Sequence, residues 1–490
     1  MIDTPTIDWA ALSPYLAILG GMAVIMLVAP FLEPARRNAF GAIGAVLTLA
    51  GATAQAIALF VNDDGGSDIL AGALRSDRLA DLSQVVLFLA GLGAVFLGLR
   101  ERDDTERRAE YYLLLLSAVG GMAIFVASND LVSLFLGLEW FSISLYILCA
   151  ITLDRTIALE SGLKYLIAGS FSSALLLFGL ALVFGATGEV GYAAIAAAAG
   201  DADPTLLAAG LALLLVGLGF KLSAAPFHQW TPDVYEGAPT PVTALMASAT
   251  KVAAAVLTLR VLTTAFPDDA TLWTIALAVL SVASLLWGNL AALAQRDLKR
   301  LLAYSSISHA GFLLMPLAAG NELGGRALLY YLIPYAGLTV TAFGVVAARE
   351  RELNRRVGLD ELAGLGWERP YHGIALAIAM FGFIGLPPMG IFFGKLYAFS
   401  ALYDRGWVWL MIIGAVLTAV SVYYYLAVVR AVYLRGVSLA AVAAGGSPPR
   451  DRALDLAIGL GVVVGIGSFV VVDQLMGFAA DAVAFLPFPF

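Results

Sequence analysis

Five ionisable side chains lie inside stretches of sequence that are otherwise apolar: Glu139, Lys164, Lys221, Lys251 and Lys395. An unpaired charge at the centre of a bilayer costs at least about 2.5–3.5 kcal/mol, so such residues need a reason to be there. Burial disfavours the charged form of a lysine, and a nearby carboxylate favours it. A lysine poised between those two effects takes up or releases a proton when its partner moves. Proton transfer among amines and a carboxylate is therefore the chemistry these residues offer.

Their surroundings sharpen that expectation. Glu139 lies within Leu134 to Ser142, and Ser142 and Tyr146 follow at helical spacing to form a polar stripe. A structural ion pair between helices is the plain alternative for Glu139; its position in mid-stretch favours ion transfer. Lys221 ends the apolar run Leu211 to Phe220 and precedes Pro226, Pro232, Pro239 and Pro241. Prolines so closely placed remove backbone donors and obstruct a continuous helix. Lys395 follows a similar break, Gly385-Leu386-Pro387-Pro388-Met389-Gly390. Broken helices at membrane depth line cavities and mark ion sites. Lys251, near Thr243, Ser248 and Thr250, is too deep to reach the surface, whereas Lys164 begins its stretch closely enough that snorkelling is open to it. His309, in Ser305-Ser306-Ile307-Ser308-His309, can relay protons or serve as a hydrogen-bonded packing residue. His228 follows the first break and His372 begins a span; no histidine has ligand spacing with a carboxylate, which argues against a metal site.

The elements that carry these residues must be membrane helices. Of the 490 residues 61% are hydrophobic and 13% charged, and the mean hydropathy is +0.89, beyond what a soluble core of this length buries. Apolar stretches of spanning length recur near 10–31, 39–61, 79–99, 110–127, 129–152, 159–187, 204–232, 240–262, 270–294, 301–319, 325–348, 371–399, 406–430 and 453–476. The fold class is all-α, a polytopic membrane protein of about fourteen helices. The first stretch follows Asp3 and Asp8 rather than basic residues, and reads as a retained span. With the N-terminus outside, the inner loops hold Arg36, Arg37, Arg100, Arg102, Arg107, Arg108, Arg155, Arg296, Lys299, Arg300, Arg349, Arg351, Arg355, Arg356, Arg369, Arg430, Arg435, Arg450 and Arg452. The outer loops hold only Arg75, Arg78, Arg326 and Arg405, a strong positive-inside asymmetry that puts both termini outside. Arg260, near the outer end of its span, can snorkel. The single Cys149 excludes an internal disulfide and a cysteine-ligated metal cluster, and a net charge of −8 gives no sign of a nucleic-acid partner. The pairs Gly91/Gly93 and Gly465/Gly467 fall inside spans, as helix contacts rather than phosphate loops.

A duplication is visible. Lys164-Tyr165-Leu166-Ile167 recurs as Tyr330-Tyr331-Leu332-Ile333, and Asp130-Leu131 as Asp297-Leu298. Short apolar strings can match by chance, but the offsets, 166 and 167, agree. They bring spans four to eight onto spans nine to thirteen, and because five is odd the copies must be inverted. The expected organisation is 1–109 for helices one to three, 110–262 for the first five-helix repeat, 263–433 for the second, and 434–490 for a loop and helix fourteen. Each repeat then owns one broken helix, the seventh or the twelfth, with one lysine.

The run Phe220-Lys221-Leu222-Ser223-Ala224-Ala225-Pro226-Phe227-His228-Gln229-Trp230-Thr231-Pro232-Asp233-Val234-Tyr235-Glu236-Gly237-Ala238-Pro239-Thr240-Pro241-Val242 resembles the signature of the antiporter-like subunits of respiratory complex I, NADH-quinone oxidoreductase. Its Pro-Asp-Val-Tyr-x-Gly-Ala-Pro form is similar to subunit N more than to subunits L or M. Asp297 to His309 and Gly385 to Lys395 agree, so the resemblance covers essentially the whole chain. It implies two inverted five-helix bundles with discontinuous seventh and twelfth helices, and it places the family's fifth-helix glutamate on Glu139. The family's lysines of helices six, seven, eight and twelve fall on Lys164, Lys221, Lys251 and Lys395. Lysine rather than glutamate at 395 favours N over M, and the absence of a long extension after the last span argues against L. The implied role is a non-redox, proton-translocating subunit in a bacterial plasma membrane, with no cofactor of its own. The resemblance also implies partner membrane subunits around it, with NADH and quinone handled by others. Two rivals remain: a subunit of a Na⁺/H⁺ antiporter complex, and a structural membrane subunit whose charges serve assembly.

Overall fold

In a bilayer no water is available to the backbone, so an apolar stretch satisfies its amides internally, as helix. The computed structural model describes residues 7–62, 65–100, 108–436 and 451–490. Asp3, Arg102, Arg107 and Arg450, named above, lie outside the described residues. Three helices come first: α1 (Trp9–Val28), α2 (Pro34–Asn62) and α3 (Arg78–Gly98). A first set follows as α4 (Arg108–Ala127), α5 (Leu131–Cys149), α6 (Thr156–Thr187), the short α7 (Tyr192–Ala198), α8 (Pro204–Leu222), α9 (Trp230–Gly237) and α10 (Thr240–Ala265). The second set is α11 (Ala270–Ala292), α12 (Leu298–Ala319), α13 (Glu322–Leu353), α14 (Leu365–Glu368), α15 (Pro370–Ile384), α16 (Ile391–Asp404) and α17 (Val408–Leu434). The chain ends with α18 (Arg452–Val470) and α19 (Val472–Val483).

Among the described residues, thirteen helices are long and apolar enough to cross a membrane. The fourteenth expected span is the interrupted pair α15 and α16, too short individually. Expected span 204–232 is likewise divided, with α8 stopping at Leu222 and α9 starting at Trp230. The last span departs from expectation: it turns at Val471, and α19 lies against α3 and α13 instead of extending it. A small antiparallel hairpin, β1 (Ser67–Ile69) with β2 (Leu74–Ser76), is the exception to helix among the described residues.

Helix starts are fixed by side-chain caps. Asp8, Asp77, Asp130, Asp203, Asp297, Asn321 and Asp451 each accept a hydrogen bond from an amide of the first turn of the helix they precede. Two of these caps carry matching contacts. Asp130 bridges to Gly191 and Asp297 to Gly358, both pairs separated by the offset of 167 read in the sequence. The same offset relates two close helix crossings. A Cβ on Gly121 would stand 2.6 Å from the Phe141 amide nitrogen, and one on Gly288 would stand 2.5 Å from that of Ser308. Only glycine allows backbones to approach that closely. The two α4/α5 and α11/α12 pairs are thus built alike.

Burial locates the core. Every residue in the apolar window of α10 is buried, as are most in α12 and α13, while α1, α2, α11 and α17 present large apolar side chains outward. These three central helices carry Lys251, His309, Tyr331 and Tyr335.

One expectation is overturned here. Arg260 does not snorkel; it is 1% exposed. Its guanidinium makes a bidentate pair with Asp77, at 2.7 and 2.8 Å, and its Nε donates to the Val126 carbonyl at 3.1 Å. The arginine sits between the capped start of α3 and the end of α4, where a carboxylate and a helix-end carbonyl provide the acceptors that a snorkelling side chain would have to find in water.

Candidate functional site

The first break is organised around Lys221, in the last turn of α8. Ser223 closes that helix in the left-handed region, at φ 61°. Two hydrogen bonds then hold the irregular segment: the Ala225 amide donates to Ser284 Oγ of α11 at 2.8 Å, and Trp230 Nε1 donates to the Phe220 carbonyl at 3.2 Å. Lys221, 2% exposed, donates from Nζ to Ser142 Oγ at 2.7 Å. Ser142 in turn donates to the Leu138 carbonyl of its own helix. Four rings surround the ammonium, Phe141, Tyr146, Tyr165 and Phe220, at 5.2 to 5.7 Å from their centroids. Aromatic faces attract a cation within about 6 Å, so this cage supports the charge where a lone carboxylate does not reach. Glu139 lies one turn before Ser142 on the same helix. Its Oε1 is buried and has no hydrogen-bond partner.

Lys251, fully buried in α10, turns toward the same break. Its Nζ donates to the Leu222 carbonyl at 2.6 Å. That carbonyl ends α8, and the negative end of a helix dipole favours a cation. The second break repeats the arrangement. Gly385, at φ 88°, closes α15, and Lys395 at the start of α16 donates to the Phe383 and Ile384 carbonyls at 3.2 and 2.8 Å. Its ammonium also lies 4.2 Å from the Phe312 ring centroid. Among the described residues no carboxylate contacts it; Ser306 stands in α12 where the offset of 167 would carry Glu139, and Ser306 bonds Tyr335 at 3.1 Å instead.

His309 lies 167 positions after Ser142, the partner of Lys221. Its Nδ1 is 2.8 Å from Tyr331 Oη and its Nε2 is 3.2 Å from Tyr425 Oη. Lys221 and Lys395 thus stand at the two helix breaks and Lys251 bonds to the first, while Glu139 and His309 lie in mid-helix on α5 and α12.

Lys164 stands elsewhere. It is 46% exposed and pairs with Glu160 and Asp233, both at 2.8 Å. Asp233 also pairs with Arg300, Arg300 with Glu236, and Glu236 with Arg356, so Lys164 begins an ion network at the arginine-rich face. Exposed pairs contribute about 0–1 kcal/mol each. With two such pairs, Lys164→Ala is therefore expected to change the thermal unfolding midpoint by the equivalent of no more than about 2 kcal/mol, measured on the purified protein. His372 bonds Asp455 at the start of α15, and His228, 6% exposed, packs beside Trp287 at the first break.

Sequence reading did not identify the aromatic cage, Asn289, or the tyrosines about His309. The cage has no spacing signal, because its rings come from three helices. Tyr424 and Tyr425, adjacent in an apolar stretch, were the visible hint; Tyr424 Oη donates to Asn289, whose amide donates to Ser308.

Comparison with known proteins adds an independent finding. Residues 128–421 match the family described as NADH:quinone oxidoreductase/Mrp antiporter, TM. The chain is 37% identical over 478 residues to NADH-quinone oxidoreductase subunit N 2 of Roseiflexus castenholzii, covering 94% of this chain and 93% of that one. It is similar to a chain of respiratory complex I from Thermus thermophilus with bound aureothin, at 34% identity and TM-score 0.80, over 95% of this chain and 99% of that one. A chain of the Mrp complex from Dietzia sp. DQ12-45-1b, at 21% identity, shares the fold with TM-score 0.86 over 99% and 98% of the two chains.

Proposed function

The chain belongs to the NADH:quinone oxidoreductase/Mrp antiporter transmembrane family, and from that membership we propose that it carries protons as a non-redox subunit of an H⁺-translocating NADH-quinone oxidoreductase. The observation that supports the reading is three buried lysines held by a serine hydroxyl and by the carbonyls that end two broken helices. None of these contacts is a tight salt bridge, so none fixes the amine in its charged form. Each lysine can give up its proton and keep a stable seat.

In this scheme Glu139 biases Lys221, and a proton leaving Lys221 passes to Lys251, His309 and Lys395 through bound water and hydroxyls. Lys164 and its ion network hold α9 at the arginine-rich face, which we place on the inner side of a bacterial plasma membrane, with both termini outside. Moving one charge against 100 mV costs about 2.3 kcal/mol, so an external driver is required. Quinone reduction in partner subunits, which hold the flavin and iron–sulfur groups, provides it. The two five-helix repeats, 110–262 and 263–433, then contribute one broken helix each to a single path.

A Na⁺/H⁺ antiporter complex is the rival reading, and a structural membrane subunit the next. Affinity purification of the tagged chain from its native membrane separates them. Copurification of flavin and iron–sulfur subunits with NADH:quinone reductase activity is expected. Recovery of sodium-dependent proton exchange without those subunits would favour the antiporter.

A further inference from the structure

We infer that Tyr425 and Ser305 form a branch of the relay through which His309 exchanges protons with the arginine-rich face, an inference that rests on the proton-carrying function proposed above. Ser305 lies one turn before His309 on α12 and so on the same side of that helix. It is also nearer to Lys299 and Arg300, at the helix start, by roughly 6 Å of helical rise. Tyr425 of α17 ties the two together: its hydroxyl bonds Ser305 Oγ and stands 3.2 Å from His309 Nε2. On the other side of the ring, Nδ1 is 2.8 Å from Tyr331 Oη. Tyr331 packs its ring against Gly394, the residue before Lys395. All four side chains are buried, none more than 2% exposed.

What makes this a path rather than packing is the type of each partner. A neutral imidazole has one donor and one acceptor nitrogen, and a hydroxyl can serve either role. Flanked by hydroxyls on both nitrogens, the ring has two tautomers, and these orient the chain of hydrogen bonds in opposite directions. A proton arriving at Ser305 Oγ displaces that hydroxyl's own proton to Tyr425 Oη, whose phenolic proton moves to His309 Nε2. The Nδ1 proton then leaves for Tyr331 Oη, which releases its own toward Lys395. One proton enters, one leaves, every group keeps its starting number of protons, and rotation of the hydroxyls with tautomer exchange resets the chain.

Tyr425→Phe keeps the ring and removes only the hydroxyl; Ser305→Ala removes the other link. In the purified complex reconstituted in liposomes, each is expected to slow NADH-driven proton uptake by about 100-fold, the lower end of what a positioned proton-transfer group contributes. Ser305→Thr, which restores a hydroxyl, should recover the rate, a recovery that a packing role does not produce. If Tyr425→Phe impairs assembly, the alanine and threonine variants at 305 decide alone. Wild-type rates in both Tyr425→Phe and Ser305→Ala, beside a collapsed rate in Lys221→Ala, would overturn the branch and leave the relay standing. A wild-type rate in Lys221→Ala would overturn the relay itself and the branch with it.

Discussion

Lys221→Ala should abolish NADH-driven proton pumping while the complex still assembles. The side chain is buried, its ammonium has one hydrogen-bond partner in Ser142, and the surrounding rings give it no second acceptor. Removing the amine leaves Glu139 and Lys251 without a titrating group between them. Alanine also leaves no orphaned hydroxyl behind, because Ser142 keeps its own bond to Leu138. The sharper version is Lys221→Arg. Arginine keeps the positive charge but does not give up its proton at any ordinary pH. If the site works by proton transfer, pumping fails in both variants; if a fixed charge is all the site requires, arginine restores it. Acidification of proteoliposomes on NADH addition, with subunit content checked on the same preparation, reads both outcomes.

The second large effect concerns stability rather than transport. Asp77→Ala should destabilise the folded protein by about 3–5 kcal/mol, the cost of leaving a buried charge uncompensated. Arg260 would lose both bidentate bonds and keep only the Val126 carbonyl, while α3 would lose its cap at the Ala80 amide. Replacing both partners with apolar residues, Asp77→Leu with Arg260→Met, should cost much less than either change alone, because no ion is left unpaired. Thermal unfolding of the detergent-solubilised protein across this double-mutant cycle measures the coupling. Strictly additive effects would show that the pair is not the clamp described. The contrast with Lys221 separates two classes of buried charge in one chain. Arg260 is held by a carboxylate, whereas Lys221, Lys251 and Lys395 are held by neutral groups.

Much of the architecture was legible in the sequence for physical reasons. A bilayer demands long apolar helices, so thirteen spans and both breaks could be read from hydropathy, proline and glycine. The offset of 167 was visible at Asp130 and Asp297 because a helix cap demands a short polar side chain at a fixed point. Its recurrence at Gly121 and Gly288 was not, since glycine is common in spans and only the crossing geometry distinguishes these two. The candidate site was half legible. Lysine and glutamate announce themselves in apolar surroundings, and Glu139, Lys221, Lys251 and Lys395 were all found that way. What holds each ammonium was hidden, because a carbonyl freed at a helix break belongs to an apolar residue such as Leu222 or Ile384. Arg260 was misread for the opposite reason. Its partner Asp77 is 183 positions away, in a loop whose charges gave no reason to single it out.

In the proposed relay Lys251 is the link between the two halves of the chain, bonded to the carbonyl that ends α8. The most direct test of a single path is therefore the number of protons translocated per NADH oxidised by the complex carrying Lys251→Ala, with both quantities followed in the same proteoliposomes. The relay predicts that the ratio falls below that of the wild type in a fully assembled complex. A wild-type ratio would show that protons cross without passing between the repeats, and would contradict it.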